Sequence, residues 1–178
     1  MKEQWKRHIA EILREIGIAE GHYVLDCCCG KGIYAAVAAT LVGDLGRIYA
    51  IDSDSEKLKE LKQEAEACGL GNLQIIEEDV ESRIRLPDGF VDFVLLYDIF
   101  WYFRPAEKKT EKLLREVRRV AKPNAVISVF PTHVDAGGLA RFNHEMTDNA
   151  FSLVSEFSRK LVHEERLETG RLLNFRKS

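Results

Sequence analysis

The sequence predicts an α/β fold: a doubly wound, mostly parallel seven-stranded sheet with helices on both faces and a C-terminal antiparallel hairpin. Two observations carry this. Short apolar runs of strand length alternate with amphipathic helical segments, the pattern of parallel strands joined by crossover helices. One of these runs, residues 91–97, is almost wholly apolar, as a strand covered on both faces must be.

Each element has its own local reason. Residues 5–16 place Trp5, Ile9, Ile12, Leu13 and Ile16 along one helical face. Gly17 and Gly21 frame a turn before the extended run 22–28. Residues 32–42 are Ala-rich and helical, and 47–51 form the second strand. Ser53-Asp54-Ser55-Glu56 has capping-box spacing. Behind it Leu58, Leu61, Ala65 and Cys68 repeat at helical spacing, which puts Cys68 on the interior face, and Gly69 is the natural C-cap. Residues 73–76 are a third strand. A helix is expected over 105–121, with Pro105 in its first turn and Pro123 beyond its end, then a strand over 125–130. A helix over 147–160 would present Phe151, Val154 and Phe157. Residues 161–168 and 172–176 would then pair around Thr169-Gly170.

The chain has 178 residues, enough for one domain with a core that needs no covalent staple. It reads as an N-terminal helix (1–17), an α/β core (20–131) and a C-terminal helix and strand pair (132–178). At 46% hydrophobic and 31% charged, it is composed like a globular protein. The net charge of −3 gives no sign of a surface built throughout for nucleic acid. No apolar run reaches membrane-spanning length, and the charged N-terminus lacks a secretion signal's apolar core, so a cytoplasmic protein is expected. Cys27, Cys28 and Cys29 are consecutive and poorly placed to pair with one another. Reduced thiols fit that compartment. No metal site is expected, because structural zinc takes separated pairs and strand neighbours point to opposite faces.

In open α/β sheets ligands bind beyond the carboxyl ends of the strands. That rule selects Asp26 to Gly32, Asp52 to Asp54, Asp79 to Val80, Tyr97 to Trp101, and Pro131 to Asp135. Glycines at 30 and 32 allow close backbone approach to a ligand. Asp26, just before them, suits a cationic amino group better than a pyrophosphate. Asp52 ends the second strand in register with the glycine loop, where a carboxylate can accept both hydroxyls of a ribose. Asp79 is either an acceptor for an exocyclic amine or one loop acid of the run Glu77-Glu78-Asp79.

These segments resemble the motifs of class I S-adenosylmethionine-dependent methyltransferases, which have a Rossmann-like fold. Val24-Leu25-Asp26 through Gly32 resembles their first motif, and Ile51-Asp52-Ser53-Asp54 the acidic ribose motif. Glu78-Asp79-Val80 resembles the adenine motif, and residues 90–96 the strand-four motif. Residues 113–123 resemble the helix before strand five. The resemblance covers about residues 20–131, making that core the cofactor-binding part. It implies S-adenosylmethionine as cofactor. Asp26 would sit near the methionine amino group, with Cys28, Gly30 and Gly32 forming the loop. Asp52 would hold the ribose and Ser53 would flank the adenine. Asp79 would receive the adenine amine, the Val80 N–H would support the ring, and the Tyr97 carbonyl would face the methionine end.

The sequence departs from the family at three places. Cys28 stands where the first glycine is usual. Pro123-Asn124-Ala125 replaces Pro-Gly-Gly, a change Asn tolerates because it adopts unusual backbone angles. Asp98-Ile99-Phe100-Trp101 lacks the signature of enzymes that methylate amino groups of nucleobases or glutamine. A small-molecule acceptor is expected, with Tyr97, Asp98, Trp101 and His133 around it and His133 as proton acceptor; a nucleic-acid or protein acceptor stays open. Asp98, His133 and Asp135 also loosely match the layout of metal-dependent catechol methyltransferases, against which stands their reading as pocket lining or helix caps. Two other functions compete. Gly30-Lys31-Gly32-Ile33-Tyr34-Ala35 satisfies a dinucleotide fingerprint, which would suit an NAD-dependent oxidoreductase. A noncatalytic S-adenosylmethionine-binding protein would explain Cys28.

Overall fold

The computed structural model describes residues 3–80, 83–99, 109–132, 134–163 and 166–178. The fold is the expected seven-stranded, mostly parallel sheet, with five helices and a C-terminal antiparallel hairpin among the described residues. The chain forms two compact units, residues 1–80 and 81–178.

The first unit holds α1 (Glu3–Glu15), β1 (Tyr23–Cys27), α2 (Ile33–Val42), β2 (Arg47–Asp52), α3 (Ser55–Cys68) and β3 (Leu73–Glu77). Its strands run parallel in the order β3-β2-β1. The apolar stripe of α1 buries Trp5, Ile9, Ile12 and Leu13. α2 is apolar on nearly every side, its sole plainly polar residue being Thr40, and Tyr34 to Ala39 are all buried. α3 is capped by Asp54, whose carboxylate accepts the Glu56 and Lys57 N–H groups at 3.1 Å. The cap therefore lies one residue later than the Ser53-to-Glu56 box suggests. Gly69 closes α3 in the left-handed conformation, as expected. Cys68 is exposed, not interior, because the helix ends there and its face turns to solvent.

The second unit holds β4 (Val91–Tyr97), α4 (Lys109–Val120), β5 (Ala121–Phe130), α5 (Ala136–Asp148), β6 (Phe151–His163) and β7 (Arg166–Lys177). Its strand order is β4-β5-β7-β6; β4 and β5 are parallel, and β7 is antiparallel to both β5 and β6. Arg119 ties the segment before β4 to α4, donating to the Ile84 and Leu86 carbonyls and to Asp88 and Glu116. Asn124 has φ +66°, the left-handed geometry its replacement of glycine requires. Pro105 lies outside the described residues.

The C-terminal quarter corrects the sequence reading. The helix is α5, from Ala136 to Asp148, and most of the expected helix 147–160 is strand β6. The three-residue spacing of Phe151, Val154 and Phe157 imitates a helical face because a bulge between Leu153 and Ser155 breaks the strand's alternation. Most of β6 is also exposed on both faces, so no buried face enforces a two-residue period. Thr169-Gly170 is no turn: these residues pair with Lys160 and Arg159 inside a ladder that runs on to His163 paired with Arg166. Gly170 serves packing rather than turning: a Cβ there would come within 2.1 Å of Phe130 Cε2.

Candidate active site

The first unit assembles most of the expected cofactor residues beyond the ends of β1, β2 and β3. The loop after β1 turns sharply, with Cys28, Gly30 and Gly32 at φ +59°, +55° and +65°. It is pinned to β2, since the Cys29 N–H donates to the Ile51 carbonyl at 2.9 Å and the Gly30 N–H donates to Asp52 Oδ2 at 2.7 Å. Asp52 Oδ1 accepts the Asp54 N–H at 2.9 Å, and its carbonyl accepts the Glu78 N–H at 2.9 Å. Asp52 is thus the junction of all three strand ends. Each carboxylate oxygen has two acceptor positions, so one bond apiece leaves room for a vicinal diol.

Asp26 is buried, 4% exposed, at the end of β1. Burial pushes its carboxyl up from an ordinary 3.8 to about 7; a hydrogen bond from the Ala35 backbone opposes this, and the charge of Asp52 adds to it. The Ala35 N–H belongs to the first turn of α2, whose N-cap, Gly32, offers no side chain. Asp26 therefore satisfies an otherwise orphaned helix donor from the strand below. Because the folded pKa is raised, the contribution to stability is full below 3.8 and is lost as pH rises to about 7. Asp26→Asn keeps the acceptor for Ala35 but cannot ionise. Between pH 4.5 and 8 the parent should lose on the order of a few kcal/mol relative to this variant, measured by urea unfolding.

The thiols of Cys27 and Cys29 are poor nucleophiles. Cys27 is held well above the usual thiol range by a hydrogen bond with Cys28 and by burial, and burial raises Cys29 as well. Cys28 matters through its backbone. A left-handed non-glycine residue costs about 1–2 kcal/mol, of which glycine's greater unfolded-state entropy returns about 0.4–1 kcal/mol. Cys28→Gly should therefore raise stability by about 0.5–1 kcal/mol in thermal unfolding while retaining cofactor affinity. A large loss of affinity would show that the thiol itself touches the ligand.

Ser53 and Asp79 are exposed beside this cradle and Val80 is buried. In the second unit Tyr97 is buried, with its hydroxyl 2.8 Å from Ser128 Oγ and its ring edge-on to Phe130. Asp98 follows β4 at φ +60°. Asp135 caps α5, accepting the Gly138 N–H at 2.6 Å. Trp101 and His133 lie outside the described residues. Sequence reasoning missed His163, which the structure buries with its Nδ1 2.5 Å from Asp98 Oδ2. The available signal was a histidine ending the apolar pair Leu161-Val162.

A glycine cradle, a carboxylate with spare acceptor positions and a buried acid fit S-adenosylmethionine: backbone room, a ribose acceptor and a partner for an ammonium. The fold and this donor set define a Rossmann-like S-adenosylmethionine-binding domain. Residues 25–129 match the family described as "Methyltransferase domain", more than half of the chain. The chain belongs to the class I S-adenosylmethionine-dependent methyltransferase family. It is 30% identical over 125 residues to a demethylmenaquinone methyltransferase of Geobacillus kaustophilus, covering 68% of this chain and 51% of that protein. The chain thus spans about half the length of the curated relatives it matches. A SAM-dependent methyltransferase from Aquifex aeolicus superposes with a TM-score of 0.73 at 25% identity, over 93% of this chain and 88% of that one. The [4+2]-cyclase SpnF shares the fold at 15% identity with a TM-score of 0.75, over 97% and 81% of the two chains. The oxidoreductase alternative finds no support among these comparisons.

Proposed function

We propose that this protein transfers a methyl group from S-adenosylmethionine to a small-molecule acceptor in the cytoplasm. The observation that carries this reading is Asp52, which clamps the left-handed glycine loop at 2.7 Å while keeping acceptor positions for a ribose. When bound, S-adenosylmethionine supplies an electrophilic methyl group on a sulfonium. The chain's own residues bind and orient. Asp26 meets the amino group of the methionine moiety; Cys28, Gly30 and Gly32 give the backbone path; Asp52 takes the ribose hydroxyls. Ser53, Asp79 and Val80 surround the adenine, and the Tyr97 carbonyl faces the methionine end. Asp98, Trp101 and His133 belong to the acceptor side. Methyl transfer needs chiefly proximity and in-line alignment, which such a scaffold supplies without a fixed catalytic triad.

The relatives named demethylmenaquinone methyltransferases favour a quinone-like small molecule over a macromolecule. No helix among the described residues is long and apolar enough to cross a membrane. The test is incubation of the purified chain with methyl-labelled S-adenosylmethionine and fractionated cell extract. Label should enter the small-molecule fraction. Label confined to protein or nucleic acid, or none at all with cofactor bound, would refute this reading and favour a macromolecular acceptor or the noncatalytic alternative.

A further inference from the structure

We propose that a cavity among the three helices of the first unit binds a small organic phosphate, with the anionic head held by Arg7 and Arg14 and an apolar body laid against α2. The site is separate from the cofactor cradle, since none of Asp26, Gly30 or Asp52 lines it, and it stands independently of the methyl-transfer reading.

The cavity has a volume of about 370 Å³. That is the lower part of the range for small-molecule sites. Its wall on α1 is a single helical stripe, Glu3, Lys6, Arg7, Ala10 and Arg14. The stripe runs beside the buried one of Trp5, Ile9, Ile12 and Leu13, so α1 carries its bases against the neighbouring helices. Ala36 and Val37 of α2, both buried, and the half-buried Leu41 and Leu70 supply apolar lining. From α3 come Glu64 and Cys68.

The charged walls are Lys6, Arg7 and Arg14 against Glu3 and Glu64. Glu64 is already engaged: its carboxylate lies 3.7 Å from Lys6 Nζ and accepts the Cys68 thiol at 3.9 Å. Glu3 stands in the first turn of α1, where the helix N-terminus favours an acid. It is one turn from Arg7 but, at 1.5 Å per residue, about 16 Å along the axis from Arg14. Glu11 has ion-pair spacing to both arginines, four residues after one and three before the other, yet does not line the cavity. Among the described residues neither the Arg7 nor the Arg14 side chain makes an ion pair or hydrogen bond, with Glu11 or any other group. Two guanidinium groups therefore face an apolar-lined cavity with their donors unspent.

That arrangement selects a ligand. Arg7 and Arg14 stand about 10.5 Å apart along the helix axis, within reach of one anion placed over Ala10. Each guanidinium fork pairs with two oxygens. A carboxylate has two oxygens and fills one fork. A phosphate monoester has three acceptor oxygens and close to two negative charges at neutral pH, which suits two forks. The apolar lining favours a compact hydrocarbon body over inorganic phosphate.

The experiment uses the full chain and 1-naphthyl phosphate as probe, with 1-naphthol and inorganic phosphate as its separate halves. Calorimetry should show saturable binding of the probe, and each half should bind at least about tenfold more weakly. Arg7→Gln combined with Arg14→Gln removes both forks and keeps good helix formers. The double variant should bind the probe at least about tenfold more weakly, with Tm shifted by less than about 2 °C. Cys68, exposed on the cavity wall, gives a readout that needs no variant: the probe should slow its alkylation by iodoacetamide several-fold. In the double variant that protection should disappear. Absence of saturable binding, or binding that leaves Cys68 unprotected, overturns the proposal. Parental affinity in the double variant overturns it too. Naphthol binding as tightly as the probe would mean an apolar crevice that recognises no anion, and inorganic phosphate binding as tightly would remove the organic ligand; either result contradicts the assignment. Competition by S-adenosylmethionine would place the probe in the cofactor cradle and overturn the separate site while sparing the methyl-transfer reading.

Discussion

Asp52→Ala should weaken S-adenosylmethionine binding by at least about 1.5–3 kcal/mol, the cost of charge-assisted hydrogen bonds to the ribose. That is roughly 10- to 150-fold in Kd. The structure argues for the upper end. The same carboxylate accepts the Gly30 N–H at 2.7 Å and the Asp54 N–H at 2.9 Å, so its loss also releases the glycine loop from β2. Asp52→Asn separates the two effects, since its amide oxygen keeps one acceptor and its nitrogen opposes the other. Calorimetric titration of both variants measures this. Equal affinity for parent and Asp52→Ala would remove Asp52 from the binding site.

Gly32→Ala should be strongly destabilising. A Cβ at Gly32 would stand 2.4 Å from both methyl carbons of Leu61, and the backbone there has φ +65°. Leu61 is fully buried. The left-handed backbone costs about 1–2 kcal/mol and the overpacking about 1–3 kcal/mol. A loss of about 2–5 kcal/mol lowers Tm by roughly 4–20 °C in a chain of this size. The check is a double-mutant cycle with Leu61→Ala. The alanine methyl then enters space that Leu61 vacated, so the two losses should be well short of additive. Full additivity would mean that the contact with Leu61 is not the cause.

Gly32 also shows how much of the site can be read in a sequence. A glycine after a strand marks a tight turn, and Asp52 at the next strand end marks a ribose acceptor; both follow from order along the chain. The clash with Leu61 does not, because it depends on α3 crossing the loop. The same division runs through the fold. Strands β1 to β4 stand within a residue or two of expectation, since β1, β2 and β4 are buried apolar runs and the half-buried β3 follows the turn at Gly69 to Gly71. The hairpin was misplaced because Gly170 looks like a turn residue, when its role is to admit the ring of Phe130 from β5. Likewise β6, an exposed strand with a bulge, leaves no periodic apolar signature. His163 was unreadable for a third reason: its meaning comes from Asp98, a partner that only the hairpin's path brings within 2.5 Å.

Titration calorimetry of the intact chain, with S-adenosylmethionine in one experiment and NAD in another, tests the central claim most directly. The account predicts saturable one-to-one binding of S-adenosylmethionine, strongly weakened by Asp52→Ala, and no heat of binding from NAD. Binding of NAD without S-adenosylmethionine, or S-adenosylmethionine binding indifferent to Asp52, would contradict it.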